Sequence, residues 1–247
     1  MKRILGGSVA TIAAIFTLTT MASAASFTLD LDGLDGVNGT LDDAIFTTIP
    51  GGLEGNQNQT AANNVLQDLG IGTLNMADHR ELGGYQGSQV RFSGNGKVRV
   101  ELMGWEAGYE NKFTLDGQTV GKVVGDPTKL VAADLNSPLA TFVTGGLAAG
   151  VLDFSFISEN NNPPVNKGGV TNGTNPIIGQ NFFASFGPGN EAATSGKTLW
   201  LFYDDGDVFG DNHDDLVIRI SAVPLPAGGL LLLTGLAVIG IRRRKTA

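Results

Sequence analysis

The sequence predicts an all-β protein, an antiparallel β-sandwich of jelly-roll-like type with long loops. Three observations carry that expectation. Apolar residues recur with period two in several short stretches, the spacing that sets alternate side chains on one face of a strand. Glycine is abundant, 36 of 247 residues, while charged residues make up only 16%, a composition closer to turn-rich β structure than to a helical enzyme. Turn-forming clusters separate the alternating stretches, as hairpins require.

Taken in order, Val90-Arg91-Phe92 precedes residues 97–102, in which Val98, Val100 and Leu102 share a face, and Gly94-Asn95-Gly96 between them is a hairpin signal. Asp116-Gly117 likewise separates Phe113-Thr114-Leu115 from residues 120–124. Leu152, Phe154 and Phe156 alternate in the next strand, residues 199–203 form a continuous apolar and aromatic run, and Leu216, Ile218 and Ile220 alternate in the last. Helical signal is confined to residues 60–69, with Thr60 as cap and Gly70 as terminator. Residues 56–64 and 160–179 are rich in Asn, Gly and Pro and read as long surface loops. No period of ~20–50 residues recurs. The sum is eight to ten strands in one exported domain spanning residues 25–222.

Composition excludes several kinds of chemistry. With no cysteine there is no disulfide framework, no thiolate metal site and no Cys nucleophile. Both ends are basic, so residues 25–222 hold ten basic against 24 acidic residues, a net charge of about −14. Phosphate repels such a domain, which excludes nucleic acid as a partner and suits cation binding or a salty exterior.

At the front, Lys2-Arg3 precedes an apolar stretch, and Ala22-Ser23-Ala24 fits the small-x-small cleavage rule, so residues 1–24 read as a signal peptide. At the back, Val223-Pro224-Leu225-Pro226-Ala227 leads into an uncharged run ending at Ile241, then Arg242-Arg243-Arg244-Lys245. As a helix, residues 227–241 would cover about 22 Å, short of a ~30 Å hydrocarbon core. The basic cluster would act as a membrane stop on the cytoplasmic side. This order of motif, apolar helix and arginine cluster resembles the exosortase-type sorting tails of Gram-negative bacteria, the PEP-CTERM-like signals, and the motif matches their VPLPA variant. The resemblance implies passage through the secretion machinery, an inner-membrane intermediate, and processing by a membrane-embedded sorting protease. It also implies delivery to the cell surface or extracellular matrix, in association with exopolysaccharide and biofilm. The mature chain is expected to end near Val223.

The densest polar constellation lies between the last two strands: Asp204, Asp205, Asp207, Asp211, Asn212, Asp214 and Asp215, with Gly206 and Gly210 among them. Clustered carboxylates repel one another, and Ca²⁺, which takes six to eight oxygens, removes that cost. The spacing is not that of an EF-hand. Two readings stand: a calcium loop, or a solvated acidic hairpin. The strand, acidic loop and strand from Leu201 to Ile220, and the stretch from Glu106 to Phe113, also resemble parts of sorted surface proteins of this kind. A second group, Asp30, Asp32, Asp35, Asp42 and Asp43, reads as a turn-rich connection, with exposure expected for Asp30 and Asp32.

Enzyme signatures are absent: no Gly-x-Ser-x-Gly, no phosphate-cradling glycine loop, no two-His metal motif. His79 lies in a polar stretch and His213 among aspartates; Glu101, Glu106 and Glu110 stand out by position only. Trp105, Tyr109, Trp200 and Tyr203 are candidates for a carbohydrate-stacking face, with Trp105 and Tyr109 foremost. The leading expectation is a non-enzymatic surface or matrix protein. The alternatives are a calcium-dependent carbohydrate-binding module and a glycan hydrolase.

Overall fold

A computed structural model of the chain describes residues 25–30, 45–46, 84–86, 88–106, 109–122, 130–133, 136–161, 164–174, 180–187, 193–205 and 215–224. All regular structure among them is antiparallel β. In chain order the strands are β1 (Phe27–Asp30), β2 (Ile45–Phe46), β3 (Gly84–Gln86), β4 (Gln89–Phe92), β5 (Lys97–Glu106), β6 (Glu110–Leu115), β7 (Gln118–Gly121) and β8 (Leu130–Ala132). They continue with β9 (Ala140–Val143), β10 (Gly150–Val151), β11 (Phe154–Asn161), β12 (Pro164–Thr171), β13 (Asn181–Ser185), β14 (Ser195–Gly196), β15 (Thr198–Asp204) and β16 (Leu216–Val223). Against the expected eight to ten, the described residues hold sixteen strands, several of them short segments that pair over only two or three residues. Residues 1–24, expected to be a signal peptide, residues 56–69 and the tail from residue 225 lie outside the described residues.

The strands form three sheets. Two have four strands, in the orders β10-β4-β1-β14 and β12-β11-β6-β7; the third runs β2-β3-β13-β15-β16-β5-β8, with β9 also paired to β5. The Asp116-Gly117 hairpin is as expected: Leu115 pairs with Gln118, and both turn residues have positive φ, 53° and 69°, the geometry that matches strand twist in a two-residue loop.

Two expectations fail. Gly94-Asn95-Gly96 is not a hairpin, for β4 pairs with β1 and β10 while β5 belongs to the large sheet. The segment is a corner between sheets, tied down by Ser93 N–H to Ser26 O at 2.8 Å and Gly96 N–H to Leu147 O at 3.0 Å. Val90 and Val98, both fully buried, thereby reach one core from two different sheets. Nor are residues 160–179 simply a loop: β11 runs on to Asn161, and β12 takes residues 164–171 and pairs with β11. It is an edge strand, where an initial proline and glycines are tolerated because one side needs no ladder bonds. A bulge at Ser158/Glu159 and a positive φ of 118° at Gly168 absorb its irregularity.

The core gathers where a four-stranded sheet meets the large one. Phe154 and Phe156 of β11 contact Phe113 at 5.3 and 5.1 Å, Phe182 of β13 lies 5.2 Å from Phe154, and Tyr203 of β15 stacks on Phe156 at 4.7 Å. Such ring pairs contribute about 0.5–1.5 kcal/mol each beyond area burial. The large sheet is buried on its other face as well, at Phe183, Phe202 and Val217, which explains why residues 199–203 read as a continuous apolar run.

Phe156→Ala should lower unfolding stability by about 3–5 kcal/mol. Val143→Ser, at a position 40% exposed, should change it by less than about 0.5 kcal/mol. Urea denaturation of the two variants checks the assignment of the core.

Candidate functional site

The register of β15 and β16 builds the base of the acidic hairpin. Tyr203 pairs with Leu216, and Asp215 N–H donates to Tyr203 O at 3.1 Å, so Asp204 and Asp205 leave β15 directly across from Asp215. One carboxylate oxygen from each lies within 4.8 Å of the others. Asp204 and Asp215 are buried, at 2% and 8% exposure, and Asp205 is half-buried.

Neighbouring dipoles compensate part of this charge. Asp205 N–H donates to Asp215 Oδ2 at 2.8 Å. Asn111 Nδ2 donates to Asp205 Oδ2 at 3.0 Å and to Asp215 O at 3.4 Å, while Gln180 Nε2 donates to Asp205 O at 2.8 Å. Behind Asn111, the Ser158 hydroxyl donates to Asn111 Oδ1 at 2.6 Å. That hydroxyl has one hydrogen, so Tyr203, 3.0 Å away, donates to Ser158. The result is a directed chain from a core phenol through Ser158 and Asn111 to the aspartates. Burial pushes the Tyr203 phenol far above its ordinary value, and the negative charges of Asp205, Asp215 and Asp204 push it further.

The arrangement suits a hard cation. Two oxygens each ~2.4 Å from one Ca²⁺ lie at most ~4.8 Å apart, and every pair among the three carboxylates meets that limit. Three protein oxygens are half a calcium shell or less; Asp207, Asp211, Asn212 and Asp214, expected to supply more, lie outside the described residues. Sequence reading missed Asn111, Ser158 and Gln180. The signal was there for two of them: Asn111 continues the inward phase of Phe113 and Leu115, and Ser158 that of Phe154 and Phe156. A polar residue in phase with an apolar stripe is buried and must find hydrogen bonds.

The other candidates fall elsewhere. The four aromatics do not make one exposed stacking face: Trp105 is 6% exposed and in the core cluster, and Tyr203 is in the ring cluster. Trp200 is 7% exposed on the opposite sheet face, and Tyr109 is half-buried. Period-two inward phasing of Trp105 with Val98 and Val100 through the β5 bulge accounts for its burial. Glu101 pairs with Arg219, Glu110 is buried on β6, and Glu106 ends β5. Asp30 pairs with Arg91 at 3.2 Å. Asp32, Asp35, Asp42, Asp43, His79 and His213 lie outside the described residues. Among the described residues no helix is long and apolar enough to cross a membrane.

No family model matches the chain, no curated protein matches it, and no solved structure matches it.

Tyr203 gives the site a pH signature. Below pH ~10 the phenol is protonated in both folded and unfolded chains, and its full contribution to stability is present. Above pH ~10 the unfolded phenol ionises first, so stability falls as pH rises, by up to about 1.4 kcal/mol per unit. Tyr203→Phe should flatten that alkaline limb while costing about 1 kcal/mol at neutral pH for the lost hydrogen bond; Tyr85, also raised by burial, leaves a remainder. Denaturation midpoints from pH 8 to 11 check this.

Proposed function

We propose that this chain is an exported surface or matrix protein: a jelly-roll-like β-sandwich carried out through the secretion machinery and processed at a VPLPA-type tail by a membrane-embedded protease. The observation that carries the reading is the tripartite tail, Val223 to Ala227, then an apolar run, then Arg242 to Lys245. Its context supports it. β16 ends at Val223, which pairs with Lys97, and Pro224 beyond it is exposed, so the motif begins where the sheet ends. Ring contacts between the two sheets at Phe154–Phe182 and Phe156–Tyr203 support the sandwich. The role is structural rather than catalytic, with exopolysaccharide as the surrounding partner.

Mass spectrometry of the mature protein tests the sorting claim. In the parent strain the chain should end within or just before residues 223–227, and in a strain lacking the sorting protease the tail should remain. Normal tail processing in that strain overturns the reading.

Calcium at the hairpin base belongs to the same proposal, because three clustered carboxylates on adjacent strands are the feature a divalent ion would clasp. At ~100-fold excess over its dissociation constant, Ca²⁺ would add about 2.7 kcal/mol, which for a domain of this size is a rise in Tm of about 5–10 °C. Thermal unfolding of the full chain with calcium and with chelator measures it. Asp205→Asn with Asp215→Asn should abolish the shift, and equal melting in both conditions would leave a solvated acidic hairpin.

A further inference from the structure

The other end of the β15–β16 hairpin is basic. Lys97 and Arg99 on β5, Lys197 just before β15, and Arg219 on β16 bring four of the ten basic residues of the 25–222 stretch to one end of the large sheet. Register sets the pattern. Thr198, Ser221 and Arg99 form one row across three adjacent strands, and Trp200, Arg219 and Glu101 form the next. Both rows lie on the face away from the ring cluster.

Between them is a concavity of about 350 Å³ lined by Arg99, Glu101, Thr198, Arg219, Ser221 and Pro224 among others. Arg219 is held from two directions. Its Nε donates to Glu101 Oε2 at 2.7 Å, and its guanidinium carbon lies 5.4 Å from the centre of the Trp200 ring. Its side chain is 16% exposed, so packing and pairing pre-orient a planar cation at the floor. Arg99 at the rim is exposed and has no ion-pair partner among the described residues. Thr198 Oγ1 and Ser221 Oγ, 3.3 Å apart, offer hydroxyls that either donate or accept. Among the described residues one carboxylate, Glu101, shares this face with three cations, Lys97, Arg99 and Arg219, an excess of positive charge in a stretch that is negative as a whole.

We propose that this concavity binds a hydroxylated carboxylate of about one sugar ring in size, a sugar acid or short hydroxy acid. Its carboxylate lies against Arg99 and the Arg219 floor, and its hydroxyls against Thr198, Ser221 and Glu101. The volume is at the small end of ligand sites, ~300–1,000 Å³, which fits one such unit. The mixture of cations, hydroxyls and a single carboxylate distinguishes it from a plain anion patch, since Glu101 repels a compact multivalent anion and accepts hydrogen bonds from alcohols. The inference is independent of calcium at the opposite end, and of its lining only Val223 and Pro224 belong to the tail motif.

Titration of the full chain, in detergent and chelator, with sodium galacturonate, galactose, malate and inorganic phosphate tests it by calorimetry. Galacturonate or malate should bind saturably, at least tenfold more tightly than galactose or phosphate, and the stronger of the two identifies a sugar acid or an open-chain acid. Arg99→Gln should weaken binding at least tenfold with Tm unchanged. No saturable binding, equal binding of galactose or phosphate, or indifference to Arg99→Gln overturns the proposal. Sedimentation adds a control. Self-association that Arg99→Gln abolishes and galacturonate does not compete would assign the concavity to the acidic hairpin of a second copy, and overturn it as well.

Discussion

The ring of Tyr203 lies flat on Phe156, 4.7 Å between centroids and 5° between planes, while its hydroxyl is 3.0 Å from Ser158. A fully buried phenol needs a partner for that hydroxyl, since burying it unpaired would cost several kcal/mol. The partner is available only if β11 and β6 hold their register, because Ser158 sits directly opposite Asn111 and Phe156 opposite Phe113. A one-residue slip would turn Ser158 and Asn111 outward and two phenylalanines with them. The same slip would remove Asn111 from Asp205. Packing of the two sheets and support of the acidic cluster therefore depend on one register, read through one side chain.

How much of this could be read in advance follows from which forces are local. Alternation in β5, β11 and β16 is visible because one face of each strand is buried, and the Asp116-Gly117 turn is visible because two positive φ angles in succession demand such residues. The corner at Gly94-Asn95-Gly96 is not. A glycine-rich break between two alternating stretches looks the same whether the chain folds back or crosses to another sheet, and only long-range pairing of β4 with β1 decides. β12 was hidden for a related reason: an edge strand tolerates Pro164, Gly168 and Gly169, residues that elsewhere mark loops. At the candidate site, the aspartates announce themselves by composition. Asn111 and Ser158 do not, because their importance lies in facing inward, and Arg219 meets Glu101 across 118 positions of sequence.

Charge on the β15–β16 hairpin is separated along its length. At ~3.3 Å per residue, Thr198 and Asp204 stand about 20 Å apart, with aspartates at one end and Lys97, Arg99 and Arg219 at the other. At physiological ionic strength even the ~13 Å from Arg219, opposite Trp200, to Asp204 exceeds one Debye length of about 8 Å, so each end presents its own field to solvent despite the average acidity of the domain. The two ends are also built differently. The aspartates are drawn together by backbone register and gain little from one another. The basic end is organised by a nearly buried ion pair resting on an indole, an arrangement that orients rather than merely attracts.

β16 joins these features mechanically. It is a central strand, bonded along six pairs to β15 and seven to β5; it begins just after Asp215 and ends where the sequence turns to Pro224. A tail held at a membrane would pull on Val223 along the strand axis, and ladders on both sides would resist in shear, many hydrogen bonds at once. The weak point under such a load is the other end, where the hairpin base brings three carboxylates together and their repulsion opposes closure. A divalent ion bridging Asp204, Asp205 and Asp215 would tie β15 to β16 at that point, in a chain that has no cysteine to do so. The register that buries Tyr203 thus also fixes where such an ion would act, because it brings Asp204 and Asp205 across from Asp215.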